Sequence, residues 1–184
     1  MRAVAAVALL LWVGLGWADE NAAWIAIADG RAVLLIRHAS APGIGDPPGF
    51  VLGDCSTQRN LNEAGRLQAR RWGELLRHKG IVEPTIFSSR WCRALQTGEL
   101  MEVGPVKPLP ALDSFFADDD REGQQTQALR DFLASMSETR SIVLISHQVN
   151  ITALTGVFPR SAEALILALP LTGPPEVLAQ ISLP

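Results

Sequence analysis

Two short, uninterrupted apolar segments constrain the fold of this chain more than any other feature. Residues 32–36 read AVLLI and residues 141–146 read SIVLIS; Arg37 and His38 follow the first segment, and His147 follows the second. Continuous apolar runs of this length are typical of strands that are buried on both faces. Such strands occur in sheets that helices cover on both sides, so we expect an α/β protein.

Segments with helical patterns alternate with strands along the rest of the chain. Asn62 is a suitable N-cap and Gly80 a suitable C-terminal stop for the helix between them. The alternation predicts a three-layer α/β/α sandwich with a mostly parallel sheet, formed by residues 19–184 as a single domain, in which residues 105–124 are irregular. The predicted helices cover residues 20–30, 63–79, 90–103 and 125–136, a further strand covers 85–89, and a hairpin at the sheet edge covers 164–169 and 176–183.

Basic and polar side chains collect where the predicted strands end. Arg37 and His38 follow the first strand, Ser88–Arg93 follow the second, and His147 follows the third. In α/β sheets ligands bind beyond the carboxyl ends of the strands, so we expect these side chains to share one site. Guanidinium groups match phosphate oxygens in bidentate geometry, and a neutral imidazole is a competent nucleophile near neutral pH. The pattern therefore favours a site for a phosphate group.

The N-terminal segment is typical of a secretory signal peptide. Arg2 precedes an apolar run of about a dozen residues, and small residues before Asp19 provide a cleavage position after Ala18. We expect residues 1–18 to be removed, which places the mature protein in the periplasm or outside the cell; an uncleaved N-terminal anchor is the alternative. Later apolar segments are too short to cross a bilayer, so we expect no stable membrane span after cleavage.

Charge and cysteine content limit the partners and the compartment. The chain carries 16 Lys and Arg against 19 Asp and Glu, a formal net charge of −3, and its basic residues are scattered. This distribution argues against a nucleic-acid partner. The two cysteines, Cys55 and Cys92, predict one disulfide in an oxidising compartment, with a pair of buried free thiols as the alternative.

Several segments, in order along the chain, resemble one known family. Arg37-His38-Ala39 resembles the RHG/RHA signature of the histidine phosphatase superfamily, and residues 59–69 (RNLNEAGRLQA) resemble the helix start that follows it. Residues 88–97 (SSRWCRALQT) are similar to the segment that carries its second arginine, and residues 145–147 (ISH) resemble the strand that delivers its second histidine. The chain resembles in particular the small exported branch of this superfamily, which has the phosphoglycerate mutase-like fold.

The resemblance implies a role for each matching residue. His38 would be the nucleophile that is transiently phosphorylated, with Arg37, Arg93 and His147 completing the phosphate pocket. The implied activity is hydrolysis of phosphomonoesters, with no metal ion and no organic cofactor. The partner would be a small phosphorylated substrate, and an exported location points to envelope sugar or glycolipid phosphates. A bridge between Cys55 and Cys92 would tie the long loop after the signature to the helix that bears Arg93.

Two departures from the family pattern concern the pocket and the proton donor. Many members have an asparagine seven residues after the signature arginine, where this chain has Ile44. Many also supply a glutamate shortly after the third strand of the family fold as general acid, and the candidates in that region here are Asp113 and Asp118. The sequence does not choose between these two carboxylates, and Asp119 and Asp120 are expected to be solvated.

Other readings of the same residues stay open at this level. A non-catalytic phosphate-binding module on the same fold is the main alternative. Mutase or phosphotransfer chemistry is less favoured, because mutases usually need insertions for which the chain has little room. A serine hydrolase using Ser88 or Ser89 with His147 lacks the G-x-S-x-G elbow of that class.

Overall fold

The computed structural model describes residues 20–136 and 140–183. The predicted signal peptide, residues 1–18, lies outside the described residues. Within them, no helix is both long enough and apolar enough to cross a membrane.

A six-stranded mixed sheet forms the centre of the described domain. Its order is β3-β2-β4-β1-β5-β6, in which the first four strands are parallel and β5 runs antiparallel to both of its neighbours. The predicted α/β/α sandwich with a mostly parallel sheet is confirmed, as is the hairpin at the edge. The strands are β1 (Ala32–Arg37), β2 (Thr85–Ser88), β3 (Val106–Pro108), β4 (Ile142–Ser146), β5 (Ala164–Ala168) and β6 (Val177–Ile181).

Helices cover both faces of this sheet because successive side chains of a strand point to opposite sides. Leu34 and Ile36 of β1 belong to a core that also contains side chains of α1, α2 and α3. Val33 and Leu35 belong to a second core on the other face, with side chains of α4 and α5. The helices are α1 (Glu20–Ala28), α2 (Glu63–His78), α3 (Cys92–Glu99), α4 (Glu122–Ala134) and α5 (Gln148–Thr155).

Three elements differ from the sequence-based expectation. Strand β3 lies in the segment 105–124 that was expected to be irregular, and it has only three residues, one of them proline. Helix α5 was not predicted, since its sequence QVNITALT has no clear apolar stripe. Helix α3 is shorter than residues 90–103; its chain leaves the helical conformation by Glu102, which has a φ of 53°.

A disulfide joins Cys55, in the long loop after β1, to Cys92, the first residue of α3. The two Cα atoms are 5.6 Å apart and 37 positions apart in sequence. A second contact supports the same junction, because the amide of Cys92 donates a hydrogen bond of 3.0 Å to Oε1 of Gln58. The loop is thus attached to the helix whose second residue is Arg93.

We expect the double variant Cys55→Ser, Cys92→Ser to unfold at a lower urea concentration than the parent protein. Opening a loop of this length restores chain entropy to the unfolded state, which corresponds to about 2–4 kcal/mol of unfolding free energy. Urea titration followed by tryptophan fluorescence measures the difference, and reduction of the parent protein should reproduce it. Two titratable thiols in denatured, unreduced protein would contradict the bridge.

Candidate active site

Three parallel strands end side by side and deliver the chemically active residues to one edge of the sheet. In the sheet register, Arg37 of β1 lies opposite Ser146 of β4, and Ser88 of β2 lies opposite Ile145. The residues that follow these strands are therefore neighbours. The rings of His38 and His147 meet edge to face with centroids 5.2 Å apart.

A cavity of about 230 Å³ opens at this edge. All four residues that the sequence assigned to the phosphate pocket line it: Arg37, His38, Arg93 and His147. Asp46 and Arg59 are the other charged residues among the described residues that line it.

The hydrogen bonds of His38 fix which ring nitrogen can act as a nucleophile. Nδ1 lies 2.8 Å from the carbonyl oxygen of Ala39 and must carry the proton, because a carbonyl can only accept. Nε2 then has a free lone pair, and Nε of Arg93 donates to it at 3.2 Å. Burial, and next the positive charge of Arg93, lower the pKa of His38 to about 3, so the imidazole is neutral at physiological pH.

The backbone around His38 is held by residues of the family-like motifs. The amide of Ala39 donates to Oγ1 of Thr97 at 3.0 Å, and the amide of Ser40 donates to Oε1 of Gln68 at 2.9 Å. Helix α2 approaches this segment so closely that a Cβ atom on Gly65 would collide with the carbonyl of Ser40. Each of these motif residues therefore positions the chain around His38 rather than the substrate.

The Arg93 guanidinium donates hydrogen bonds both to His38 and to the carboxylate of Asp46. Its Nη1 donates to Oδ1 of Asp46 at 2.8 Å, and both side chains are almost fully buried. Asp46 also accepts hydrogen bonds from Nε1 of Trp91 at 3.0 Å and from the amide of Arg59 at 3.1 Å. Burial raises the pKa of Asp46, but the hydrogen bond and charge of Arg93 outweigh it and hold the pKa below its usual value.

Arg37 and Arg59 add two further guanidinium groups to the cavity. Nη1 of Arg37 donates to the carbonyl of Pro159 at 2.9 Å, while its buried Nε has no hydrogen-bond partner within the described part of the chain. Arg59 donates to the carbonyls of Gly45 and Ala41. Burial, and next the neighbouring charge of Arg59, lower the pKa of Arg37. This excess of positive charge favours a bound anion.

His147 is attached to a buried polar chain behind the cavity. Its Nε2 lies 2.7 Å from Oγ of Ser89, whose hydroxyl is 3.4 Å from Oδ1 of Asp113. Burial, and next the charge states of His38 and Arg93, place the pKa of His147 well below its usual value, so its ring is neutral while the cavity is empty. Ser89 is fully buried and does not line the cavity, which argues against a serine nucleophile.

The two carboxylates predicted as proton donors lie elsewhere. Asp113 is buried, and its Oδ2 accepts from Nε of Arg90 at 2.7 Å and from Nη2 at 2.6 Å. Asp118 is exposed. Neither lines the cavity. The carboxylate that does line it, Asp46, comes from the long loop after β1, two residues beyond Ile44.

Two helices begin at the cavity. Arg93 lies in the first turn of α3, and Gln148 and Val149 open α5 directly after His147. All of these residues line the cavity. The N-terminus of a helix carries partial positive charge and free amide groups, so both helices add to the attraction for an anion. Among the described residues, no group of three or more His, Cys, Asp or Glu is placed to hold a metal ion.

Asp46 and Arg59 were not assigned to this site from the sequence, and Ser89 was assigned to it only as part of the turn 88–93, without a role of its own. Arg59 opens a family-like motif, which was a usable signal. Ser89 is the last residue of the predicted strand 85–89, and its place at the carboxyl end of that strand was a second signal. Asp46 lies in a long loop rich in glycine and proline, where no periodic pattern relates sequence position to direction in space.

Comparisons with known proteins identify the family and the fold. The model of the histidine phosphatase superfamily, branch 1, matches residues 33–132. No protein of curated function matches the sequence significantly. Solved structures do, at low sequence identity, and therefore show a shared fold.

Three of these structures cover most of the chain. The protein histidine phosphatase SixA complexed with tungstate is 20% identical, with a TM-score of 0.58 over 82% of this chain and 96% of that one. A phosphoserine phosphatase from Entamoeba histolytica complexed with 3-phosphoglyceric acid is 16% identical, with a TM-score of 0.59 over 82% and 96%. A mycobacterial glucosyl-3-phosphoglycerate phosphatase is 18% identical, with a TM-score of 0.52 over 74% and 89%.

We expect the protein to take up a proton when it binds tungstate, which remains a dianion near neutral pH. The bound charge raises the pKa of His147 from its depressed value through the neutral range, and uptake of about one proton at this residue follows. Affinity should therefore increase as pH falls from 7.5 to about 6. Calorimetric titration in two buffers of different ionisation enthalpy measures the uptake.

The matched control is the exposed histidine His78, which lies at the end of α2 outside the cavity. His78→Gln should keep the proton uptake, and His147→Gln should reduce it by about one proton. Equal binding enthalpies in the two buffers for the parent protein would show that His147 is not the group that titrates.

Proposed function

Because this chain belongs to the histidine phosphatase superfamily, we propose that it hydrolyses phosphomonoesters through a phosphohistidine formed on His38, without a metal ion and in an extracytoplasmic compartment. The observation that carries the proposal is the unprotonated Nε2 of His38, held beside Arg93 in a cavity with two further guanidinium groups. The family relationship supports phosphatase activity. The mechanism through His38 and the extracytoplasmic location are proposals beyond that relationship.

In the first step, Nε2 of His38 attacks the phosphorus atom of the bound ester. A P–N bond forms while the P–O bond to the alcohol breaks, and the alcohol oxygen leaves with the electron pair. Arg37, Arg59 and Arg93 bind the phosphoryl oxygens and offset the charge that develops on them. The proton stays on Nδ1, which keeps its hydrogen bond to the carbonyl of Ala39. This hydrogen bond stabilises the positive charge that the ring carries once it is phosphorylated.

The departing alkoxide needs a proton, and we assign its donor to Asp46. In the empty cavity the Arg93 guanidinium keeps this carboxyl ionised. A bound phosphate dianion competes for Arg93 and adds negative charge beside Asp46, and both effects raise its pKa. The carboxyl is therefore protonated in the complex, and it donates this proton to the departing alkoxide.

In the second step, a water molecule attacks the phosphohistidine from the side that the alcohol has left. Asp46, now ionised, accepts a proton from the water as the new P–O bond forms. The P–N bond breaks, the electron pair returns to Nε2, and inorganic phosphate leaves. His147, protonated against the Ser89–Asp113 chain, stabilises the transferring group in both steps.

The compartment and the substrate rest on separate observations. The signal-like residues 1–18 and the Cys55–Cys92 bridge support an oxidising, extracytoplasmic location. Two of the similar structures are phosphatases of small phosphorylated metabolites by name, and SixA is a protein histidine phosphatase. We propose a small phosphorylated compound as substrate, with phosphates of the cell envelope, such as sugar or glycolipid phosphates, as the group to assay first.

We expect purified mature protein to hydrolyse 4-nitrophenyl phosphate in the presence of EDTA, and His38→Ala to abolish turnover while His78→Ala leaves it intact. Quenching the reaction in base should trap a phosphoryl group on His38, since phosphohistidine survives base and is lost in acid; peptide mass spectrometry locates it. Tungstate binding without turnover of any ester would instead support a non-catalytic phosphate-binding module.

We expect Asp46→Asn to discriminate between leaving groups. Phenyl phosphate needs a proton donor more than 4-nitrophenyl phosphate does, because phenol is the weaker acid. The variant should therefore lose about 100-fold or more in kcat on phenyl phosphate and much less on 4-nitrophenyl phosphate. Asp118→Asn is the matched control, and a selective loss in that variant would transfer the role to Asp118.

A further inference from the structure

The mouth of the cavity differs in chemistry from its floor. We propose that this mouth is a subsite for an apolar substituent attached directly to the phosphate. Among the substrates of the proposed function, the protein then prefers alkyl, aryl and lipid phosphates over sugar phosphates, whose first atoms carry hydroxyl groups. The inference rests on the proposed function, since it places the phosphate at His38. Four side chains carry it: Ile44, Phe50, Trp91 and Phe116, all of which line the cavity.

One wall of the mouth is a row of contacting aromatic rings that begins at the phosphate end. Trp91 meets His147 edge to face, with ring centroids 5.5 Å apart, and its other neighbour Phe50 has a centroid distance of 5.6 Å. The hydrogen bond from Nε1 of Trp91 to Asp46 fixes the indole and leaves its ring without a further donor. A substituent that extends from the bound phosphate toward solvent lies along this apolar wall.

Phe116 and Ile44 form the other part of the mouth. The Phe116 ring packs against Gly45: a Cβ atom placed there would lie 3.5 Å from Cε1 of the ring. Its amide is held by Oγ of Ser114 at 3.3 Å. Ile44, beside Gly45, is 91% exposed and Phe116 is 49% exposed. Apolar side chains left open to water beside a ligand cavity gain free energy when a ligand covers them.

Several polar groups near the mouth already have hydrogen-bond partners. Nε2 of Gln148 donates to Oγ1 of Thr152 at 2.9 Å, and Oγ of Ser114 accepts from Phe116. The carboxylate of Asp46 accepts from Arg93, Trp91 and the amide of Arg59. A hydroxyl group on the first atoms of the substituent would lose water against this surface without an assured partner, which is unfavourable.

The test measures binding of phosphonates, which cannot be hydrolysed, so that catalysis does not enter the result. Calorimetric titration of the mature protein with methyl-, propyl-, butyl- and hexylphosphonate should show a dissociation constant that falls about twofold to fourfold for each added methylene. The polar control is 2-hydroxyethylphosphonate, which has as many heavy atoms as propylphosphonate and should bind more weakly.

Variants locate the subsite. Ile44→Ser and Phe116→Ser should each flatten the dependence on chain length, because they remove apolar surface from the mouth; both residues are exposed enough for the fold to tolerate the change. The matched control is Val82→Ser, at a valine that is 73% exposed and lies outside this cavity, and it should keep the full dependence.

Each outcome separates the two proposals. Dissociation constants that do not change from methyl- to hexylphosphonate would overturn the apolar subsite and leave the phosphate site intact. Tighter binding of 2-hydroxyethylphosphonate than of propylphosphonate would overturn it in favour of a polar substituent. Absence of binding by every phosphonate and by tungstate would refute the phosphate site, and the proposed function with it.

Discussion

The site depends on the buried guanidinium of Arg93. It contacts Nε2 of His38 through Nε and the carboxylate of Asp46 through Nη1, so one planar group connects the end of a strand, the start of a helix and a loop. A buried charge without a partner is strongly unfavourable, and this requirement fixes the loop carrying Asp46 against α3. The disulfide at the preceding residue, Cys92, holds the same loop to the same helix.

The fold and the meeting of His38 and His147 at one cavity could be predicted because the signals are local and periodic. Strands β1 and β4 are buried on both faces, and every residue before the last one in each strand is apolar, which is an unambiguous pattern. Once these strands are parallel neighbours, His38 and His147 must lie together at the carboxyl edge. Helix α2 was also predictable, since the side chain of Asn62 accepts a hydrogen bond from the amide of Gly65 at its start.

The features that escaped prediction lie where tertiary contacts decide the structure. Strand β3 exists because Ile86 and its neighbours in β2 offer an open edge, which a three-residue segment can occupy. Asp113 was placed near the chemistry by motif alignment, yet the backbone amide and guanidinium of Arg90 bind its carboxylate behind Ser89. Asp46 lies at the cavity because three contacts together fix the path of its loop: those of Asp46 with Arg59 and Arg93, and the disulfide.

The charged residues that line the cavity also have a consequence for the net charge of the ligand. Arg37, Arg59 and Arg93 contribute three positive charges and Asp46 one negative charge, while both histidines are neutral in the empty cavity. The remaining formal charge of two equals that of a fully ionised phosphomonoester. A phosphodiester carries a single negative charge and would leave half of this charge unmatched in a buried space. The charge of the empty cavity thus favours phosphate at the end of a molecule over phosphate within a chain as the ligand enters, before protons are taken up and before any contact with the organic group is made.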